Sequence, residues 1–149
     1  MLLRLLWQRG LMWHSGLLAG VCVLLQSGQR DLIYDAQQLW QEPWRLWTAH
    51  LVHVGWAHAA LNLVALLLLP WIFPSYPVRR FYGILLLGCP LLSLLLWIQL
   101  PWLTWYAGLS GILHGIYFSA ALHAFLSRSD RLVASILLIG LTMKLVLEN

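Results

Sequence analysis

Gly108-Leu109-Ser110-Gly111 sets one serine between small residues at the mouth of an apolar run that reaches Leu126. A serine in that setting has two uses. Small residues let membrane helices approach closely, and a hydroxyl at the boundary of lipid and water can serve as a nucleophile. Earlier in the chain, His58 and Asn62 lead into another apolar run. Four residues apart, they project from one helical face about a turn from each other. Either could be a plain interhelical hydrogen-bonding group. Both can also donate hydrogen bonds, which the stabilisation of an oxyanion requires.

Composition decides what must position these groups. The 149 residues are 61% hydrophobic and 9% charged, with mean hydropathy +0.77, whereas soluble domains carry about 25% charged residues. Ten tryptophans suit a membrane–water boundary, where that residue concentrates. The chain therefore reads as an all-α membrane protein with no soluble appendage. Its apolar stretches run roughly Leu11–Leu25, Ala57–Phe73, Phe81–Gln99, Gly108–Leu126 and Leu132–Leu147. Each approaches the ~20 residues that cross a bilayer, the first and last being short. Lipid offers the backbone no partners, so each stretch must be a helix. Pro70, Pro74, Pro77 and Pro101 punctuate the breaks, and Pro90, inside the third stretch, is expected to kink it.

Charge sets the orientation. Arg4 and Arg9 precede the first stretch, Arg79 and Arg80 join the second to the third, and Arg128 and Arg131 join the fourth to the fifth. The positive-inside rule then puts the N-terminus in the cytoplasm and Ser110 near the outer face. A cleaved signal peptide is disfavoured, because no small-x-small site follows Leu25. Cys22 and Cys89 read as small hydrophobes. The net charge of +4 is spent on topology and forms no basic patch with interleaved aromatics, so nucleic-acid binding is excluded. A metal site built from His50, His53 and His58, with His114, has no carboxylate or cysteine placed to complete it. No metal is expected.

Trp44-Arg45, then His53, His58 and Asn62, then Gly108-Leu109-Ser110-Gly111 two spans later, resemble the rhomboid family of intramembrane serine proteases. The resemblance covers about Trp44 to Leu147. The form Gly108-Leu-Ser-Gly-Ile-Leu-His-Gly115 is most similar to the rhombosortase-type subgroup, which is associated with trimming C-terminal membrane anchors of exported bacterial proteins. The resemblance implies a multi-pass protein of the bacterial inner membrane, acting without cofactor on membrane-anchored protein substrates. It makes Ser110 the nucleophile and His58, Asn62 and the Ser110 backbone N–H the oxyanion hole. His53 would organise the rim of the site, and Trp44-Arg45 would brace the first outer loop.

One departure stands out. The resemblance implies a general-base histidine on a sixth helix, whereas the chain has five apolar stretches before Asn149. The expectation is one rhomboid-like domain over residues 1–149, C-terminally incomplete and nearly inert by itself, since a serine hydroxyl without a base is a weak nucleophile. His114, a turn deeper than Ser110, is the alternative base. His50 reads as a rim residue and His123 as structural, and His14 falls in the first span toward the inside. Gly108, Gly111 and Gly115 form a stripe that reads as the docking surface for the missing helix. A non-catalytic relative that binds or escorts membrane proteins is the alternative function.

Overall fold

The computed structural model describes residues 2–147, with side chains placed for 10–143. Leu2–Leu25 forms α1. It starts well before the apolar stretch at Leu11, because Arg4, Gln8 and Arg9 are good helix formers although they interrupt the apolar pattern. A 3₁₀ turn at Gln26–Gly28 and the short α2 (Gln29–Leu32) follow. Next come β1 (Tyr34–Asp35), α3 (Arg45–Thr48) and α4 (Trp56–Ile72). α5 (Val78–Gly83), a π-helical segment at Ile84–Gly88 and α6 (Cys89–Gln99) run on as one helix. The chain continues through β2 (Trp105–Tyr106), α7 (Ser110–Leu126) and α8 (Arg131–Leu147). Each apolar stretch of the sequence thus lies in a helix.

Two helical runs, Gly10–Leu32 and Val78–Gln99, are long and apolar enough to cross a membrane by length and composition. α4 and α7 have 17 residues each. They rise about 25 Å, less than the ~30 Å hydrocarbon thickness. The most extensive helix pairings are α7 with α8 and α1 with α4. Buried Ala120, Ala121, Ala124 and Ala134 line the α7 and α8 part of the core, where small side chains allow close approach. Leu11, Leu66, Leu69, Phe81, Ile112 and Ile116 fill the rest.

Pro90 acts differently from a simple kink. It cannot donate to the Leu86 carbonyl, and its ring crowds that oxygen. The π segment widens the turn just before it. The freed carbonyl accepts a hydrogen bond from the Trp47 indole, Nε1 to O 3.0 Å. A defect in the third span is thereby used to dock the loop between α1 and α4. Pro70 lies inside the last turn of α4 rather than after it.

That loop is ordered in a way hydropathy did not reveal. Tyr34 and Asp35 pair antiparallel with Tyr106 and Trp105, and the Ala36 N–H donates to the Thr104 carbonyl at 3.0 Å. Arg45, only 5% exposed, gathers the loop around its guanidinium. It pairs with Glu42 and donates to the Ile33 carbonyl at 2.7 Å and to Gln38 Oε1 at 3.3 Å. Trp44 beside it is exposed. At the opposite end of the bundle, Tyr76 donates to Ser119 Oγ at 2.9 Å and Arg80 to His123 Nδ1 at 3.2 Å.

Candidate active site

Ser110 is the first residue of α7, and the segment before it is held from several sides. Gly108 has φ +144°, a conformation that side chains rarely adopt. Its N–H donates to the Ala49 carbonyl at 2.9 Å. Its own carbonyl accepts from the Tyr106 hydroxyl at 2.9 Å. A Cβ placed on Gly108 would lie 2.9 Å from Cε1 of His58, so the imidazole of α4 rests directly on the backbone leading into Ser110. Only glycine leaves room for it there.

Asn62, a turn below His58 on α4, is 7% exposed and donates from Nδ2 to the His58 carbonyl at 3.0 Å. It lines a cavity of about 160 Å³ together with Ala65, Ser110, Leu113, His114, Tyr117 and Leu141. The structure therefore brings Ser110 and Asn62 to one space, while His58 approaches from behind Gly108. His114 shares the cavity, and its Nδ1 donates to the Ser110 main-chain carbonyl at 2.6 Å.

His53 is fully buried rather than at a rim. Its Nε2 accepts the Leu109 N–H at 3.4 Å, and its ring meets that of His58 edge-on, centroids 5.2 Å apart. Nε2 as acceptor puts the ring proton on Nδ1, which is buried with no partner among the described residues. Burial, helped by the neighbouring His58, pushes the His53 pKa down to about 4. His50 is also fully buried, correcting its reading as a rim residue. Its Nε2–H is shared between the Cys89 carbonyl at 3.0 Å and Ser93 Oγ at 2.9 Å, so it carries the opposite tautomer. Burial lowers its pKa to about 4 as well. Among the described residues no three histidine, cysteine or acidic side chains form a metal-ligating group. His14, bonded to the Tyr82 hydroxyl at 2.8 Å, and His123, bonded to Arg80, stand apart from the serine.

The glycine stripe needs correction. A Cβ on Gly111 would lie 2.6 Å from Leu92 Cδ2, and one on Gly115 would lie 3.7 Å from Ile84 Cγ2. This face of α7 is already occupied, by the third span. It packs on a helix present in the chain and is not an empty groove awaiting another.

Sequence reasoning missed three groups that hold this region. Gln26 clamps the backbone of His53, accepting its N–H at 2.9 Å and donating to its carbonyl at 2.7 Å. Trp47 and Tyr106 are the others. Gln26 had a weak signal, a polar amide directly after an apolar run. That is indistinguishable from an ordinary boundary residue without the partner that it meets.

A polytopic bundle of apolar helices, with a serine opening one span and an Asn and His on the facing one, defines a class of intramembrane protein. The family model for the Rhomboid domain matches residues 40–148. No curated protein matches the chain. The chain belongs to the rhomboid family, whose members are integral membrane serine proteases acting on membrane-protein substrates within the bilayer.

Proposed function

We propose that this protein is an intramembrane endopeptidase that cleaves transmembrane segments of membrane-anchored proteins near the outer face. Ser110 is the nucleophile. The observation that carries the reading is the cavity shared by Ser110 and Asn62, with His58 resting on Gly108. Attack of Ser110 Oγ on the scissile carbonyl forms a tetrahedral oxyanion. The Ser110 N–H is one of the orphan donors of the first helical turn. It joins the side chains of His58 and Asn62 in stabilising the charge, each donor worth about 3 kcal/mol in the transition state. Asn62 bonds its own helix through one amide hydrogen and has a second to offer. Collapse of the intermediate breaks the peptide C–N bond, the nitrogen leaving as an amine that takes up the proton removed from Ser110. The remaining acyl-enzyme is hydrolysed by water, which restores the Ser110 hydroxyl. The Ser110 proton needs an acceptor. The family resemblance implies a histidine on a further helix, and His114 is the alternative within these residues.

The location follows from charge. Arg79, Arg80, Arg128 and Arg131 lie at the end opposite Ser110, which favours an N-terminus in the cytoplasm and a site near the outer face. A bacterial inner membrane fits this pattern and the motif Gly108–Gly115, as does removal of C-terminal anchors. Trp44-Arg45 braces the loop over the site, a role supported by the acceptors gathered around the Arg45 guanidinium. The test is cleavage of a membrane-anchored reporter by the native full-length protein in its membrane. Ser110→Ala is expected to abolish product. Cleavage at the wild-type rate in that variant contradicts the reading.

A further inference from the structure

The 3₁₀ turn that follows α1 contributes a buried amide that the proposed chemistry does not use. Gln26 is 7% exposed. Its Oε1 accepts the His53 N–H at 2.9 Å, and its Nε2 donates to the His53 carbonyl at 2.7 Å. A side-chain amide thereby fills both backbone valences of one residue, as a neighbouring strand would. His53 needs this, because it is fully buried in a segment without regular secondary structure, where unpaired backbone groups are costly. A second amide contact, from Gln26 Nε2 to Gln29 Oε1 at 3.3 Å, steadies the donor.

The clamp has consequences beyond His53. The ring it fixes accepts the Leu109 N–H and stands edge-on against His58. Leu109 is the residue that caps α7 immediately before Ser110. His58 in turn lies on Gly108. One residue at the end of the first span thus holds both the turn that presents Ser110 and the imidazole beside it. We infer that Gln26 is a positioning residue for the proposed site, setting through His53 the placement of His58 and of the Leu109–Ser110 turn.

This inference rests on the protease reading for its kinetic consequence and on the hydrogen bonds alone for its structural one. The experiment therefore reads both, on the full-length protein in lipid vesicles. Ring nitrogen NMR of labelled histidines reports which nitrogen of His53 carries the proton, whether or not the protein cleaves anything. Kinetics on a membrane-anchored reporter, normalised to sites labelled by a fluorophosphonate, report kcat and KM separately.

Gln26→Ala is expected to release the Nδ1–H tautomer of His53. It should lower kcat about ten- to a hundredfold, the range for displacement of a reacting group from a distance, with KM nearly unchanged. Gln26→Glu keeps the shape and the acceptor but loses the donor, so it serves if the alanine variant does not fold. It is expected to lower kcat in the same way. Ser27→Ala, at the exposed position next to Gln26 in the same turn, is expected to change neither readout. A Gln26 variant that loses only thermal stability, with kcat per labelled site and the His53 tautomer unchanged, overturns the inference. A wild-type protein that cleaves nothing, yet loses its His53 tautomer in Gln26→Ala, contradicts the protease reading and leaves the clamp standing.

Discussion

The two sides of α7 at Ser110 are built on opposite plans. Behind the serine, toward the loop between α1 and α4 and the third span, a network of fixed hydrogen bonds holds the backbone, although His50 Nδ1, His53 Nδ1 and the Tyr34 hydroxyl have no partner among the described residues. Gly108 is held by Ala49 and Tyr106, Leu109 by His53, and His53 by Gln26. His50, Ser93 and Trp47 tie the same loop to the third span. In front of the serine lies a cavity of about 160 Å³, walled mainly by Ala65, Leu113, Tyr117 and Leu141. The difference teaches where precision is needed. Donors that meet a developing charge must be placed before the reaction, because reorganising them would consume their benefit. In the proposed reaction the open side is the one a substrate segment would enter, and it must give way.

The strongest way to break this contrast is Gly108→Ala. A side chain at φ +144° is strained, and its Cβ would press on His58 at 2.9 Å. We expect a loss of about 1–3 kcal/mol in stability from the backbone alone, and a fall in cleavage rate on the order of 10²-fold as the imidazole is displaced. Leu141→Ala, on the open side, is expected to alter KM and to leave kcat nearly as it was. Thermal denaturation and reporter kinetics check both, and equal kinetic effects from the two substitutions would erase the contrast.

Acidification is a gentler probe of the fixed side. His50 and His53 have pKa values lowered from 6.5 to about 4. Between those values the unfolded chain binds more protons than the folded one, so stability rises with pH there. It is fully present above about pH 6.5 and lost as pH falls toward 4. Chemical denaturation followed across this window should show the loop between α1 and α4 weakening first. Replacing His50 by Gln should remove part of the slope. A flat profile contradicts the burial of the neutral rings.

Much of this was legible in the residues. Apolar runs set the helices, because hydropathy and helical spacing are local properties. Spacing allowed Ser110, His58 and Asn62 to converge, and their grouping as one site was what the family resemblance implied. The ordered loop between α1 and α4 was not legible. A two-residue ribbon is too short for a periodic signal, and the Arg45 hub depends on carbonyls, which every residue carries. His50 and His53 look alike in sequence, yet they hold opposite tautomers because one meets a carbonyl and the other an N–H. Gly111 and Gly115 announced a close contact without naming the partner, and the partner was the third span. Pro90 announced a disrupted helix but not that Trp47 would use the carbonyl it freed.

The most direct test of the central claim is the site of covalent capture. The native full-length protein would be treated in its membrane with a fluorophosphonate and digested, and the adduct located by mass spectrometry. The account predicts the added mass on Ser110, at the mouth of α7, with labelling slowed in Gly108→Ala. An adduct on another serine, or cleavage that continues with Ser110 unmodified, would contradict it.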